Sequence, residues 1–173
     1  METTEVRLFK ESDQSFIYHI EERDFGVYHH HPEYELVLIS QGSGIRIIGD
    51  DINLFKKNDL IFLGSHLPHV WRCDREYTDD QGNFRGQGYV VHFLKDSFGM
   101  SFFELPENRK LAKFLSEASR GCRFYGDTKK RLAESMVDMK SMNPTQRLYT
   151  LFKIFETLCT TREYEFICSP GSQ

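Results

Sequence analysis

The stretch YHHHPEYELVLISQG, residues 28–42, decides how the first half of the chain folds. Three consecutive histidines stand at the mouth of an apolar run, two glutamates follow, and the run stops at Gly42. An apolar run this short, ended by glycine, reads as a strand rather than a helix. In a strand, residues two apart face the same way. His29, His31, Glu33, Glu35, Val37 and Ile39 therefore share one face, and His30 takes the other. If the shared face points into a barrel, two imidazoles and a carboxylate converge inside it. Three chemistries suit that arrangement: a metal site, a pocket for a small polar ligand, or a half-buried strand end. In the plainest of these, the histidines are solvated and Glu35 pairs with an arginine such as Arg46.

The neighbouring sequence supports the strand reading. SFIYHIEE (15–22) alternates, and GIRIIGDDINLF (44–55) reads as two strands around a Gly-Asp-Asp turn at 49–51. NDLIFLG (58–64), PHVWRC (68–73) and GQGYVVHFL (86–94) add further short runs. About eight strands in the first hundred residues, without a helix, predict a small sandwich or barrel. The polar segment 74–86, DREYTDDQGNFRG, has the length of a lid or a long connection.

Near residue 100 the period changes. LPENRKLAKFLSEASRG (105–121) sets Leu111, Phe114, Leu115 and Ala118 on one face, with Pro106 at the start and Gly121 as a stop. GDTKKRLAESMVDMKSM (126–142) carries Leu132, Met136 and Met139 on a stripe, with Asp127 as the expected cap. The third helix opens with Asn143 as cap, Pro144 in the first position and Gln146 in the capping-box position. Its apolar face holds Leu148, Leu151, Phe152, Phe155, Leu158 and Cys159. The expected division is residues 1–100 as barrel and 101–173 as a helical segment.

The 173 residues suit one domain or one with an appendage, and fifteen phenylalanines supply ample core. No run reaches membrane-spanning length and the N-terminus is too polar for a signal peptide, so a cytoplasmic protein without membrane contact is expected. Cys73, Cys122, Cys159 and Cys168 are widely spaced, which suits reduced structural thiols. The net charge is −4, and it is uneven: residues 1–100 carry 10 Lys and Arg against 17 Asp and Glu, the remainder 12 against 9. That balance argues against a chain that binds nucleic acid by itself. The KKR run at 129–131 reads as a solvated helix face.

His69, after the turn of HLPH, adds a third imidazole. His29, His31, Glu35 and His69 form a candidate N₃O shell for a borderline divalent metal (Zn, Ni, Fe or Mn), because such a set does not select sharply among them. Trp71 shares the parity of His69. It reads either as a flat wall for a sugar-like ligand or as a core residue, and His92 in YVVHF reads either as pocket lining or as packing.

The spacing His-x-His, three residues, Glu, six residues, Gly resembles the first cupin motif, and NDLIFLGSHLPH resembles the second, ending in His69. Two departures stand out. Gly26 lies too close to His29 for the full first motif, and Asn58, Gly64 and His66 occupy positions where the second usually has glycine, proline and glycine. Taken with YVVHFLKDSFG, FFELPENRKLAKFLSEASRGCRFYG and REYEFICSPGS, the chain resembles, over essentially its whole length, the N-terminal sensor half of AraC/XylS-type bacterial transcription regulators. The resemblance implies a mainly β fold, a cupin-type double-stranded β-helix barrel followed by about three helices. It implies a small polar effector in the barrel, bound among His29, His31, Glu35, His69, Trp71 and His92. It also implies a homodimer formed through the helices, with Leu148, Leu151, Phe152 and Phe155 as the expected contact. DNA would be reached only through a helix-turn-helix half beyond CSPGSQ, which reads as the start of a linker. The competing function is a metal-dependent cupin enzyme, an oxygenase or isomerase acting on a small polar substrate, with the metal as Lewis acid.

Overall fold

The computed structural model describes residues 3–10, 13–22, 27–77, 81 and 86–170. In chain order the elements are β1 (Thr4–Glu5), β2 (Ile17–Glu21), β3 (His29–His30), β4 (Tyr34–Gln41), β5 (Gly44–Ile48), β6 (Asp51–Phe55), β7 (Leu60–Leu63), β8 (His69–Cys73) and β9 (Gln87–Phe93). They continue with α1 (Arg109–Glu117), β10 (Cys122–Phe124), α2 (Gly126–Asp138), α3 (Pro144–Thr160) and β11 (Tyr164–Phe166).

Two sheets face each other. One has the order β1-β3-β8-β5-β6, the other β11-β10-β7-β4-β9-β2. This is the expected mainly β barrel with helices after it. The alternation of β4 divides its residues between two cores. Leu36 and Leu38, with Phe62 of β7 and Val91 and Phe93 of β9, pack outward against Phe103, Leu111, Phe114, Met136, Leu151 and Phe155 of the helical layer. Val37 and Ile39, with Ile61, Leu63 and Val90, point inward to Ile48, Phe55 and Trp71 of the opposite sheet. Sequence parity thus becomes a layer order: first sheet, barrel interior, second sheet, helices.

The change of character at residue 100 separates strands from helices along the chain but not in space. β10 pairs with β7 and β11 with β10, so the helical segment adds two strands to the second sheet. The last described residues also return to the barrel: the Cys168 amide donates to Arg120 O (2.8 Å) and its thiol to Ile48 O (3.2 Å). None of the four cysteines is in a disulfide. Among the described residues, no helix is long and apolar enough to cross a membrane.

The turn chemistry follows the sequence with two exceptions. Asn143 and Gln146 form the full capping box of α3, each side chain bonding the other's backbone amide at 3.0 Å. Asp127, however, lies inside the first turn of α2 rather than capping it. The capping acceptor comes from far along the chain, as the Glu163 carboxylate takes the Thr128 amide at 2.6 Å. The second exception explains the unusual second cupin-like motif. Asn58 and His66 adopt φ of 69° and 60°, the left-handed conformation that glycine would enter without strain. The motif's backbone path is kept although two of its glycines are not. Gly64 is needed for a different reason: a Cβ there would stand 2.6 Å from Ala118 O, where the end of the first helix crosses β7. Of the segment 74–86, a 3₁₀ turn at Arg75–Tyr77 is described, while residues 78–80 and 82–85, like Gly26 and the end of CSPGSQ at 171–173, lie outside the described residues.

Candidate metal centre in the barrel

The inward row of β4 brings Glu35 to the barrel interior beneath His31. Strand pairing does the rest. In register, Glu35 stands opposite His92 of β9, and His29 of β3 opposite His69 of β8. One carboxylate oxygen, Glu35 Oε2, meets three imidazole Nε2 atoms: His92 at 2.9 Å, His31 at 3.1 Å and His69 at 3.5 Å. His29 completes the cluster, its ring 4.4 Å from that of His69 and 5.8 Å from that of His31. Glu35, His31, His69 and His92 are buried, and His29 is half-buried. His30 turns away, as its parity requires, and meets Thr3 Oγ1 at 2.6 Å.

The protons on the rings can be placed by what they touch. Nδ1 of His29 lies 2.7 Å from Val27 O, Nδ1 of His69 2.8 Å from Leu67 O, and Nδ1 of His31 3.2 Å from Glu33 O. A carbonyl oxygen only accepts, so each Nδ1 carries its proton and donates it. In the neutral rings each Nε2 is then a bare lone pair. His92 is the exception: its Nδ1 bonds nothing, so its proton can sit on Nε2 and be donated to Glu35 Oε2 at 2.9 Å, whereas the Nε2 lone pairs of His31 and His69 face that same oxygen and are relieved by added positive charge. That charge is either a proton or a cation, and backbone-anchored Nδ1–H groups are how metal-binding histidines are commonly oriented.

Titration follows the same logic. Burial opposes the Glu35 carboxylate, but the charges of His69 and His92 and the hydrogen bond from His31 hold its pKa well below the usual 4.5. Burial opposes the His31 imidazolium as well, yet the hydrogen bond and charge of Glu35 outweigh it and raise its pKa above 6.5. Burial, with His69 next to it, pushes His29 below 6.5.

The donor spacing fits a metal ion. Bonds of about 2.0–2.1 Å place neighbouring donors about 3.0 Å apart at octahedral angles and about 3.4 Å apart at tetrahedral ones. Among the residues expected as ligands, His31 and His69 place Nε2 3.1 and 3.5 Å from Glu35 Oε2, close to that range. The ligand atoms fall into two overlapping triads, His29–His31–His69 and His31–Glu35–His92. The four residues expected from the sequence divide between the triads: His29, His31 and His69 form one, and Glu35 belongs to the other with His31 and His92.

Other expectations are placed differently. Glu35 does not meet Arg46, which instead stands 3.0 Å from Asp51. Trp71 is 1% exposed and edge-on to His69 at 5.4 Å, so it packs in the core behind the histidines. Leu151 and Phe155 of α3 are buried within the chain, and only Leu148 and Phe152 of the four expected contact residues are partly exposed. His19 was not singled out by sequence reasoning. It stacks on His92 at 5.5 Å and bonds Glu21 at 3.3 Å, and burial, with His92 next, lowers its pKa. Its one legible signal was the inward parity of SFIYHIEE.

No protein-family model matches the chain, and no curated protein matches it. Solved structures do. The chain is similar to the AraC-like transcriptional activator CuxR, with TM-score 0.50 and 9% identity over 74% of this chain and 41% of that one. It is also similar to a cupin 2 conserved barrel domain protein from Rhodopseudomonas palustris (TM-score 0.35, 24% identity, 62% of this chain and 75% of that). A third is unsaturated fatty acid-bound ToxT from Vibrio cholerae (TM-score 0.40, 11% identity, 93% and 60%). Of the three, CuxR establishes a shared fold, and this chain spans less than half of its length.

Proposed function

We propose that this chain is the effector-sensing and dimerisation part of an AraC-type transcription regulator, and that its barrel holds a divalent metal. The observation that carries the reading is the layering. A helical layer covers the outer face of the sheet that supplies Glu35 and His92, in a fold shared with an AraC-like activator. None of the cluster's own chemistry requires those helices.

His29, His31 and His69 would hold the ion through Nε2 and Glu35 through Oε2, with His92 bonded to the same carboxylate. A bound divalent ion supplies the positive charge that the acceptor cluster lacks. The chain's own residues do the rest: backbone carbonyls fix the rings, and the apolar interior excludes water. The donor set also suits a metal-dependent cupin enzyme. His31, Glu35, His69 and His92 are each at most 4% exposed, so neither a substrate nor the effector expected among them has open space at their side chains.

The regulator reading has direct tests. Extending the gene sequence past residue 173 should reveal an in-frame pair of helix-turn-helix motifs, and an immediate stop codon would contradict it. Light scattering across a concentration series should show a dimer that Phe152→Glu dissociates, and a strict monomer at high micromolar concentration would contradict the dimerisation role. The acidic barrel should keep residues 1–173 from binding DNA selectively, since duplex affinity draws on clustered Lys and Arg. A mobility shift at low salt should therefore be negative, and salt-sensitive, sequence-selective binding would overturn the assignment.

A further inference from the structure

The histidine cluster contains two kinds of ring. His29, His31 and His69 each turn Nδ1 to a backbone carbonyl, Val27 O, Glu33 O and Leu67 O, at 2.7, 3.2 and 2.8 Å. Their protons are spent there, and Nε2 of each neutral ring is a lone pair. His92 is built the other way round. It is 4% exposed, its Nδ1 has no hydrogen-bond partner among the described residues, and its Nε2 lies 2.9 Å from Glu35 Oε2. A proton on Nδ1 would be buried without an acceptor, whereas a proton on Nε2 is donated to a carboxylate, the stronger kind of hydrogen bond. The neutral ring is thus the Nε2–H tautomer.

The surroundings hold that ring in place. Strand pairing sets His92 opposite Glu35 on one side of β9 and opposite Ile17 on the other. The ring stacks on His19 at 5.5 Å, with the planes 16° apart, and stands edge-on to His31 at 5.1 Å. Neither ring contact uses the Nε2 proton, which goes to Glu35. A carboxylate oxygen has two lone pairs. His92 takes one on Oε2, and the other remains for a cation shared with His31 and His69, whose Nε2 atoms lie 3.1 and 3.5 Å from the same oxygen. A glutamate side chain also loses rotamer freedom when it is fixed as a ligand. A carboxylate already held by His92 has lost that freedom before any ion arrives.

We infer that His92 is a positioning residue and not a ligand: by donating its Nε2 proton to Glu35 Oε2, it fixes the carboxylate for the ion and sets the metal affinity without touching the metal. This role rests on the metal reading proposed above. It divides the two overlapping triads by task. His29, His31 and His69 offer lone pairs from rings anchored on the backbone, and Glu35 is presented to them by the fourth ring. A ring whose Nε2 proton is given to Glu35 has no lone pair at that atom for a metal. Partners of this kind orient metal-liganding groups and raise affinity through geometry rather than through a bond to the ion.

The test uses cobalt(II) as the probe, titrated into the metal-stripped chain and followed by its visible absorption, which reports both affinity and ligand set. His92→Phe keeps a flat ring against His19 but removes the donor, and should weaken cobalt binding about 10- to 100-fold. His92→Gln returns an N–H near the place of Nε2, and should restore most of the affinity with the absorption bands of the wild type. In the stripped wild type, ¹⁵N-histidine NMR should find neutral His92 protonated at Nε2. Equal cobalt affinity in the wild type and His92→Phe would overturn the assignment. So would an Nδ1–H tautomer at His92, or bands in His92→Gln that differ from the wild type, since the ring would then be a ligand. A wild type that binds no cobalt would defeat the metal reading and this role with it, whereas the other failures leave the metal reading standing.

Discussion

The two sheets of the barrel share an interior but differ on their outer faces. The second sheet is roofed by helices: Phe62 meets Phe114 at 5.2 Å and Phe93 meets Phe155 at 5.0 Å, both edge to face. The first sheet ends in a hairpin whose outer residues stand in solvent, Ile45 at 45%, Ile52 at 68% and Leu54 at 72% exposure. Glu35 and His92 belong to the roofed sheet, His29 and His69 to the open one. The cluster therefore joins a rigid wall to a less supported one. A cation at the junction would tie them, and its loss should be felt most by the open wall.

Substitutions should reproduce this asymmetry in order of size. Phe155→Ala, which empties the space against Phe93 and Phe103, should cost about 3–5 kcal/mol in urea unfolding. If it cost no more than a surface change, the helices would not be what secures the second sheet.

Next comes the cluster itself. Glu35→Gln in the metal-stripped protein removes the carboxylate that the three Nε2 atoms touch, and should cost about 3 kcal/mol. The pH dependence has a definite sign. His31 is raised above 6.5, so its contribution is complete below pH 6.5 and is lost as pH rises through the higher folded value. Glu35 is held well below 4.5, so its contribution is present above pH 4.5 and is lost only as pH falls toward the folded value. The pair therefore stabilises the stripped protein most between pH 4.5 and 6.5. His29, pushed below 6.5, acts in the opposite direction on the acid side. Urea midpoints at about pH 6 and about pH 8 should fall for the stripped wild type and fall less for His31→Gln. Equal falls would remove His31 from the account.

Smaller effects sharpen the contrast. Asn143→Ala breaks the capping box of α3 and should cost about 1 kcal/mol, which measures how much the roof depends on its own helix signals. Leu54→Ser on the open hairpin should change stability by no more than about 0.5 kcal/mol. A larger loss would mean that something covers that face in solution.

What was legible in the sequence was local. The alternation of residues 29–39 placed His29, His31 and Glu35 on one face, and the helix signals of residues 105–160 placed three helices nearly as observed. What was not legible depends on pairing between distant segments. His92 meets Glu35 because β9 pairs with β4 at one register, and no spacing within YVVHF carries that information. His19 reaches the cluster through the pairing of β2 with β9. The cap of α2 comes from Glu163, thirty-five residues beyond the amide it serves, and so Asp127 looked better placed than it is. Arg46 faced two acidic candidates. The β5–β6 hairpin brought Asp51 beside it, while Glu35 was already enclosed by imidazoles. β10 and β11 join the second sheet from within the helical segment, a pairing that no local pattern in residues 101–173 announces.

The central claim is that the histidine cluster is a metal centre, and metal content tests it most directly. Elemental analysis of the chain, purified without a histidine tag from metal-replete medium, should find about one equivalent of a divalent transition metal. His31→Ala combined with His69→Ala should abolish it while the protein stays folded. A folded wild-type chain that carries no metal above background would contradict the claim and leave the cluster as a proton-sharing core of imidazoles around Glu35.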